Sequence, residues 1–89
     1  MDIYILNLIF INQDEEGIFL KDLFPIVEQD RFLKIRSRPG LYSVINRLEK
    51  KKFIDSTRIK KLPPEKIVKI TKKGITELQL FSKKFNKNT

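Results

Sequence analysis

The chain of 89 residues contains no cysteine and no histidine. The first absence rules out a disulfide framework. Together they rule out a thiolate or imidazole metal site and any nucleophile–histidine pair. Carboxylates, hydroxyls and lysines are what remains for chemistry, and they form no pocket-like cluster. The chain is expected to be no enzyme and to need no cofactor or metal. A long apolar run is missing too. The stretch from Ile3 to Ile11 is the most apolar, yet it is far shorter than the roughly 20 residues that span a bilayer. Asp2 precedes it and acids follow, whereas a signal peptide has a basic start and a small-residue cleavage site. A cytoplasmic protein with no membrane partner is the expectation.

What is present is charge, unevenly placed. The net charge is +8, with 34% charged and 40% apolar residues, a composition that makes one small globular domain. Residues 1–30 hold one base, Lys21, against seven acids, a balance of −6. Residues 31–89 hold eighteen bases against four acids, a balance of +14. A surface built only for solubility mixes the two signs, so this excess points to a polyanion partner. The acidic first third is a possible docking surface for a protein partner.

The segment from Asp2 to about Asn12 reads as a helix, apolar nearly all round and therefore buried on more than one side. A small monomer cannot easily cover it, which suggests a second subunit. Asn12 to Gly17 is a polar connection. Its Asp14-Glu15-Glu16 run is a solvated loop rather than a metal cluster, because successive residues do not converge on one point. Leu20, Leu23, Phe24 and Val27 predict a second helix; Pro25 within it is tolerable if the helix begins near Lys21 or Asp22. Residues 30–38 form a basic connection.

The third helix is the most informative. Ser37 or Arg38 caps it and Pro39 lies just inside its start. Leu41, Val44, Ile45 and Leu48 fall within about 100° on one face, and Ser43, Asn46, Arg47 and Lys50 lie opposite. One face packs on a core, while the other offers hydroxyl, amide, guanidinium and ammonium groups that can address base edges and phosphates. Arg47 is the first choice for a base contact. Tyr42 borders the two faces, either as a packed ring or as a DNA contact. In the run that follows, Lys50 faces out and the stem of Lys52 lies over the core.

Phe53–Lys61 and Lys66–Ile70 have the β-branched, alternating character of two strands, with Leu62-Pro63-Pro64-Glu65 as the tip between them. Lys60, Lys61 and Lys66 crowd the tip, where they block edge-to-edge pairing, contact phosphate, or both. Thr71 caps a last helix whose apolar stripe is Ile75, Leu78, Phe81 and Phe85. This stripe, like the first helix, is a candidate subunit interface.

Helix, helix, polar-faced helix, hairpin, helix is an α+β order, and two segments make it more specific. The run from Pro39 to Ile54, followed by Ile70-Thr71-Lys72-Lys73-Gly74, resembles the PadR-like and MarR-like winged helix-turn-helix proteins. In that group a segment of the type "LY..I.RLE..G.I" forms the recognition helix, and "(L/I)T.KG" leaves the wing. Two departures are visible: Lys52 stands where glycine is usual, and the connection before the third helix is long. The resemblance implies a homodimer on duplex DNA, with one third helix per subunit in a major groove and the hairpin on the neighbouring backbone or minor groove. By position it makes Ser43, Asn46, Arg47 and Lys50 base or phosphate contacts. Arg36 and Arg38 become phosphate anchors, and Lys60, Lys61 and Lys66 wing contacts.

Three functions follow in order of fit. The first is a sequence-specific repressor acting by occlusion, since the domain leaves no room for an effector module. The second is a partition protein that coats centromere-like repeats and recruits an NTPase. The third is a winged helix used for protein–protein interaction alone.

Overall fold

The computed structural model describes residues 2–85, and the side chains of residues 2–82. The elements are α1 (Asp2–Asn12), β1 (Ile18–Phe19), α2 (Leu20–Gln29), α3 (Arg38–Lys50), β2 (Ile54–Ile59), β3 (Glu65–Ile70) and α4 (Lys72–Phe85). The domain is α+β, with four helices and a three-stranded antiparallel sheet in the order β1-β3-β2. β2 and β3 pair from Ile54 opposite Ile70 to Ile59 opposite Glu65. On the far edge of β3, Ile18 lies opposite Val68 and Phe19 opposite Ile67.

Two of these features depart from the sequence-based expectation. The sheet has a third strand, and α2 begins at Leu20, which puts Pro25 inside the helix rather than in its first turn. Pro25 lacks the N–H that would reach the carbonyl of Lys21. Both residues are exposed, so water can satisfy that carbonyl.

The core is wholly apolar. Ile5, Leu6 and Ile9 of α1 meet Leu23 and Val27 of α2, Leu41, Val44, Ile45 and Leu48 of α3, and Ile54, Val68 and Ile70 of the sheet. No polar side chain is buried with them among the described residues. The connection 30–37 contributes as well. Leu33 and Ile35 are buried while Phe32, Lys34 and Arg36 are exposed, an in–out alternation that nails this segment to the core.

Loops in this fold are closed by specific side chains. Asp14 Oδ1 accepts the N–H groups of Glu16 (2.8 Å) and Gly17 (3.2 Å), so the carboxylate builds a turn. Gly17 leaves that turn at φ +115°, a left-handed conformation.

The end of α3 closes with a nested pair of bonds. The N–H of Lys52 donates to Glu49 O (3.0 Å) and that of Phe53 to Leu48 O (3.0 Å). Lys52, at φ +66°, occupies the left-handed position where glycine is usual, and its side chain is exposed rather than laid over the core. Lys52→Gly is expected to stabilise the fold by about 1 kcal/mol, because the Cβ penalty of that conformation is removed. A rise in the urea midpoint without a change in slope is the check.

The same place anchors α4. Thr71 Oγ1 donates to Lys52 O (2.7 Å) and accepts from Gly74 N (3.1 Å), while Thr71 N donates to Phe53 O (2.9 Å). Gly74 packs so closely that a Cβ there would fall on the Phe53 carbonyl oxygen. The end of α3, the root of the hairpin and the start of α4 thus share one junction. Along α4, Ile75, Leu78 and Phe81 are half-buried; the side chain of Phe85 lies outside the described residues. No helix among the described residues is long and apolar enough to cross a membrane.

Candidate nucleic-acid interface

Helix α3 is presented as its sequence dictates. Ser37 Oγ accepts the N–H of Gly40 at 3.3 Å, which makes Ser37 the cap, and Pro39 sits in the first turn. Leu41, Val44, Ile45 and Leu48 are at most 2% exposed. Ser43, Asn46 and Lys50 lie opposite and are exposed, so burial of one face obliges the other to face solvent. Ser43 Oγ donates to the carbonyl of Pro39 at 3.1 Å, one turn back along the helix.

The arginines are placed less simply. Arg47 lies on the α1 side of the exposed face, where its Nε and Nη2 donate to Asp2 Oδ2 and Oδ1, each at 2.9 Å. Arg36 Nη1 donates to the carbonyls of Leu33 (3.0 Å), Glu28 (3.3 Å) and Ile35 (3.3 Å), bracing the connection into α3. Arg38 stacks its guanidinium 5.6 Å from the centre of the Phe24 ring.

At the hairpin the lysines separate into paired and unpaired. Lys66 Nζ lies 2.7 Å from Glu49 Oε1, which also accepts from Ser56 Oγ at 2.8 Å. Lys61 reaches Glu65 Oε2 at 3.1 Å, and Lys21 of α2 reaches the other oxygen at 2.8 Å. Lys50 and Lys60 make no ion pair among the described residues. Neither does Arg58, which sequence reasoning did not single out. It pairs across the sheet with Lys66. Two like charges directly opposite repel, and Glu49 relieves this by neutralising Lys66.

Arg38, Tyr42 and Asn46 of α3 and Arg58, Pro63 and Pro64 of the hairpin line a cleft of about 660 Å³, with Phe24 and Ile45 also contributing. The predicted site residues therefore fall into four groups. Arg38, Asn46 and Lys66 share the cleft with Arg58; Ser43, Lys50 and Arg47 continue along α3; Lys60 and Lys61 lie at the hairpin tip; Arg36 is tied into the preceding connection. The Leu62–Pro63 peptide bond at the tip is cis.

The carboxylates in these pairs are all held ionised. Hydrogen bonds from Arg47 lower the Asp2 pKa against the opposing effect of partial burial. Burial pushes the Glu49 carboxyl up, but the hydrogen bonds of Lys66 and Ser56 together outweigh it and hold the group below its ordinary value. The Lys21 hydrogen bond does the same for Glu65, aided by Lys61. Groups depressed in the folded state contribute stability above their ordinary range and lose it as pH falls through the lowered values. With no histidine or cysteine to titrate between, the urea midpoint is expected to be level from about pH 5 to 8 and to decline below about pH 4.

A second surface lies between α1 and α4. Ile3, Tyr4 and Phe10 of α1 and Ile75, Leu78 and Phe81 of α4 line an apolar cleft of about 440 Å³. Tyr4, Phe10 and Leu80 are about half exposed and Ile11 more so. Among the described residues, no three acidic side chains converge to hold a metal ion. Compared with models of known protein families, with curated proteins and with solved structures, the chain matches none of them.

Proposed function

We propose that the chain is a cytoplasmic winged helix-turn-helix domain that binds duplex DNA as a homodimer and represses transcription by occluding its site. The element order and the β1-β3-β2 sheet fit that arrangement, with α3 as the recognition helix and β2–β3 as the wing. The observation that carries the reading is the continuity of one surface. The exposed face of α3 runs into a cleft flanked by Arg38 and Arg58 and ends at the lysines of the hairpin tip. A major groove about 12 Å wide admits a helix. The sugar–phosphate ridge beside that groove would then face the cleft, and the tip would meet the next groove.

The dimer reading is supported by the α1–α4 cleft. Its two helices leave apolar side chains half exposed, and two-fold pairing would cover them with a second copy of the same surface. On this reading the chain has no catalytic role.

The test is selection from a random duplex library, followed by salt titration of the enriched sequence. An inverted repeat with half-sites about one helical turn (~34 Å) apart and a steep salt slope supports a dimeric repressor. Cooperative binding to tandem direct repeats moves the role to partition. No enrichment at low salt removes DNA as the partner and leaves the interaction-module reading.

A further inference from the structure

The bond between Arg47 and Asp2 joins two helices across 45 positions of sequence and divides the donors of the guanidinium. A guanidinium has two hydrogen-bonding forks, a side-on fork made by Nε and Nη2 and an end-on fork made by Nη1 and Nη2. Asp2 takes the side-on fork with both of its oxygens. The end-on fork keeps Nη1, which has no hydrogen-bond partner among the described residues. The Arg47 side chain is 51% exposed and that of Asp2 22%, so the carboxylate is the more enclosed member of the pair.

We propose that Asp2 is a positioning residue for sequence readout, holding Arg47 by its side-on fork so that the end-on fork meets a guanine in the major groove. The inference rests on the duplex-DNA reading above. An arginine free on a helix surface samples many rotamers and can settle on any nearby phosphate. One clamped in two places has its plane fixed before DNA arrives, and a bidentate contact to guanine O6 and N7 requires that plane. Asp2 lies in the first turn of α1, where the helix dipole favours a negative charge, so the clamp is itself stabilised from behind.

The clamp makes two effects of opposite sign. A carboxylate beside a polyanion repels it, so Asp2 weakens binding to DNA of any sequence. By fixing Arg47 it strengthens the preference for one base pair. Specificity is gained partly by making the wrong complex worse. A carboxylate that merely stapled α1 to α3 would leave base preference untouched.

The experiment uses the full chain and three duplexes: a site selected from a random library, the same site with one G·C pair changed to A·T, and a duplex of random sequence. The pair to change is the one whose preference is lost in Arg47→Ala. Asp2→Asn is expected to cut the preference for guanine about tenfold while binding the random duplex severalfold more tightly. Asp2→Ser serves as a second variant, and a thermal melt establishes that each is folded. Tighter binding to all three duplexes with base preference intact would overturn the inference, because the carboxylate would then only compete with DNA. So would an Arg47→Ala variant that keeps every base preference. If the unaltered protein binds no duplex at low salt, the DNA reading fails and this inference with it. Binding with an undisturbed preference in the Asp2 variants sinks this inference alone.

Discussion

Raising the salt from 50 to 200 mM is expected to weaken binding to duplex DNA by about 10³–10⁵-fold. The size follows from which cations are available. Arg38 and Arg58 line the cleft and Lys50 and Lys60 are exposed, all without a carboxylate partner among the described residues, four per protomer and therefore about eight per dimer. Each phosphate neutralised releases condensed counterions, at a slope of about 0.9 in log K per contact on log salt. Lys61, Lys66 and Lys21 differ, because each is already paired with a carboxylate, Lys66 with Glu49 and the other two with the shared Glu65. Replacing Arg58 by alanine should thus reduce the slope by about 2 in a dimer, whereas Lys61→Ala should hardly change it. Fluorescence anisotropy at five or six salt concentrations separates the two. Equal effects of Arg58→Ala and Lys61→Ala would mean that net charge, rather than the cleft, attracts the DNA.

The second large effect concerns stability, and it sits where no DNA contact is proposed. Gly17→Ala is expected to cost about 4 kcal/mol. Two mechanisms add. At φ +115° an alanine is strained by about 1–3 kcal/mol. Its Cβ would also meet the Val68 carbonyl oxygen and Ile67 Cγ2, and the former is backbone that cannot swing aside. The collision pushes β1 off β3 at the two residues where they pair. For a domain of this size the loss corresponds to a melting temperature about 20 °C lower. Gly40→Ala is the control. Its Cβ would meet only Ser37 Oγ at 3.4 Å and Ile35 Cγ2 at 3.5 Å, ordinary contacts, and alanine is favoured in a helix. A Gly17→Ala variant as stable as Gly40→Ala would mean that the β1–β3 pairing is dispensable.

These two glycines illustrate what a sequence discloses. Where the chain repeats a period over ten or more residues, the structure follows it: α3 divides into the expected buried and exposed faces. α1 has no such period, and its continuous apolar run is what marked the residues it spans. Strand β1 was not legible, because two residues cannot display an alternation; β3 and the Asp14 turn define it instead. The alternation of Leu33 and Ile35 was too brief to stand out among basic neighbours. At the candidate site, sequence supplied the residue types and missed their partners. Asp2 and Arg47 are 45 positions apart, and only the packing of α1 on α3 brings them together. Arg36 is drawn to backbone carbonyls, which leave no mark in a sequence at all. The departure at Lys52 has a different lesson. The left-handed turn forms without its glycine, because the two bonds that close α3 are made by backbone groups that any residue carries.

The junction of Lys52, Phe53, Thr71 and Gly74 has a bearing on distance rather than on chemistry. It fixes the angle at which α4 leaves the sheet relative to the axis of α3. If α4 contributes to the contact between two copies, that angle sets how far apart their two α3 helices stand. The number of base pairs between half-sites would then be encoded by four residues that touch no nucleotide. Substitutions there would then alter that spacing while leaving the exposed face of α3 as it is.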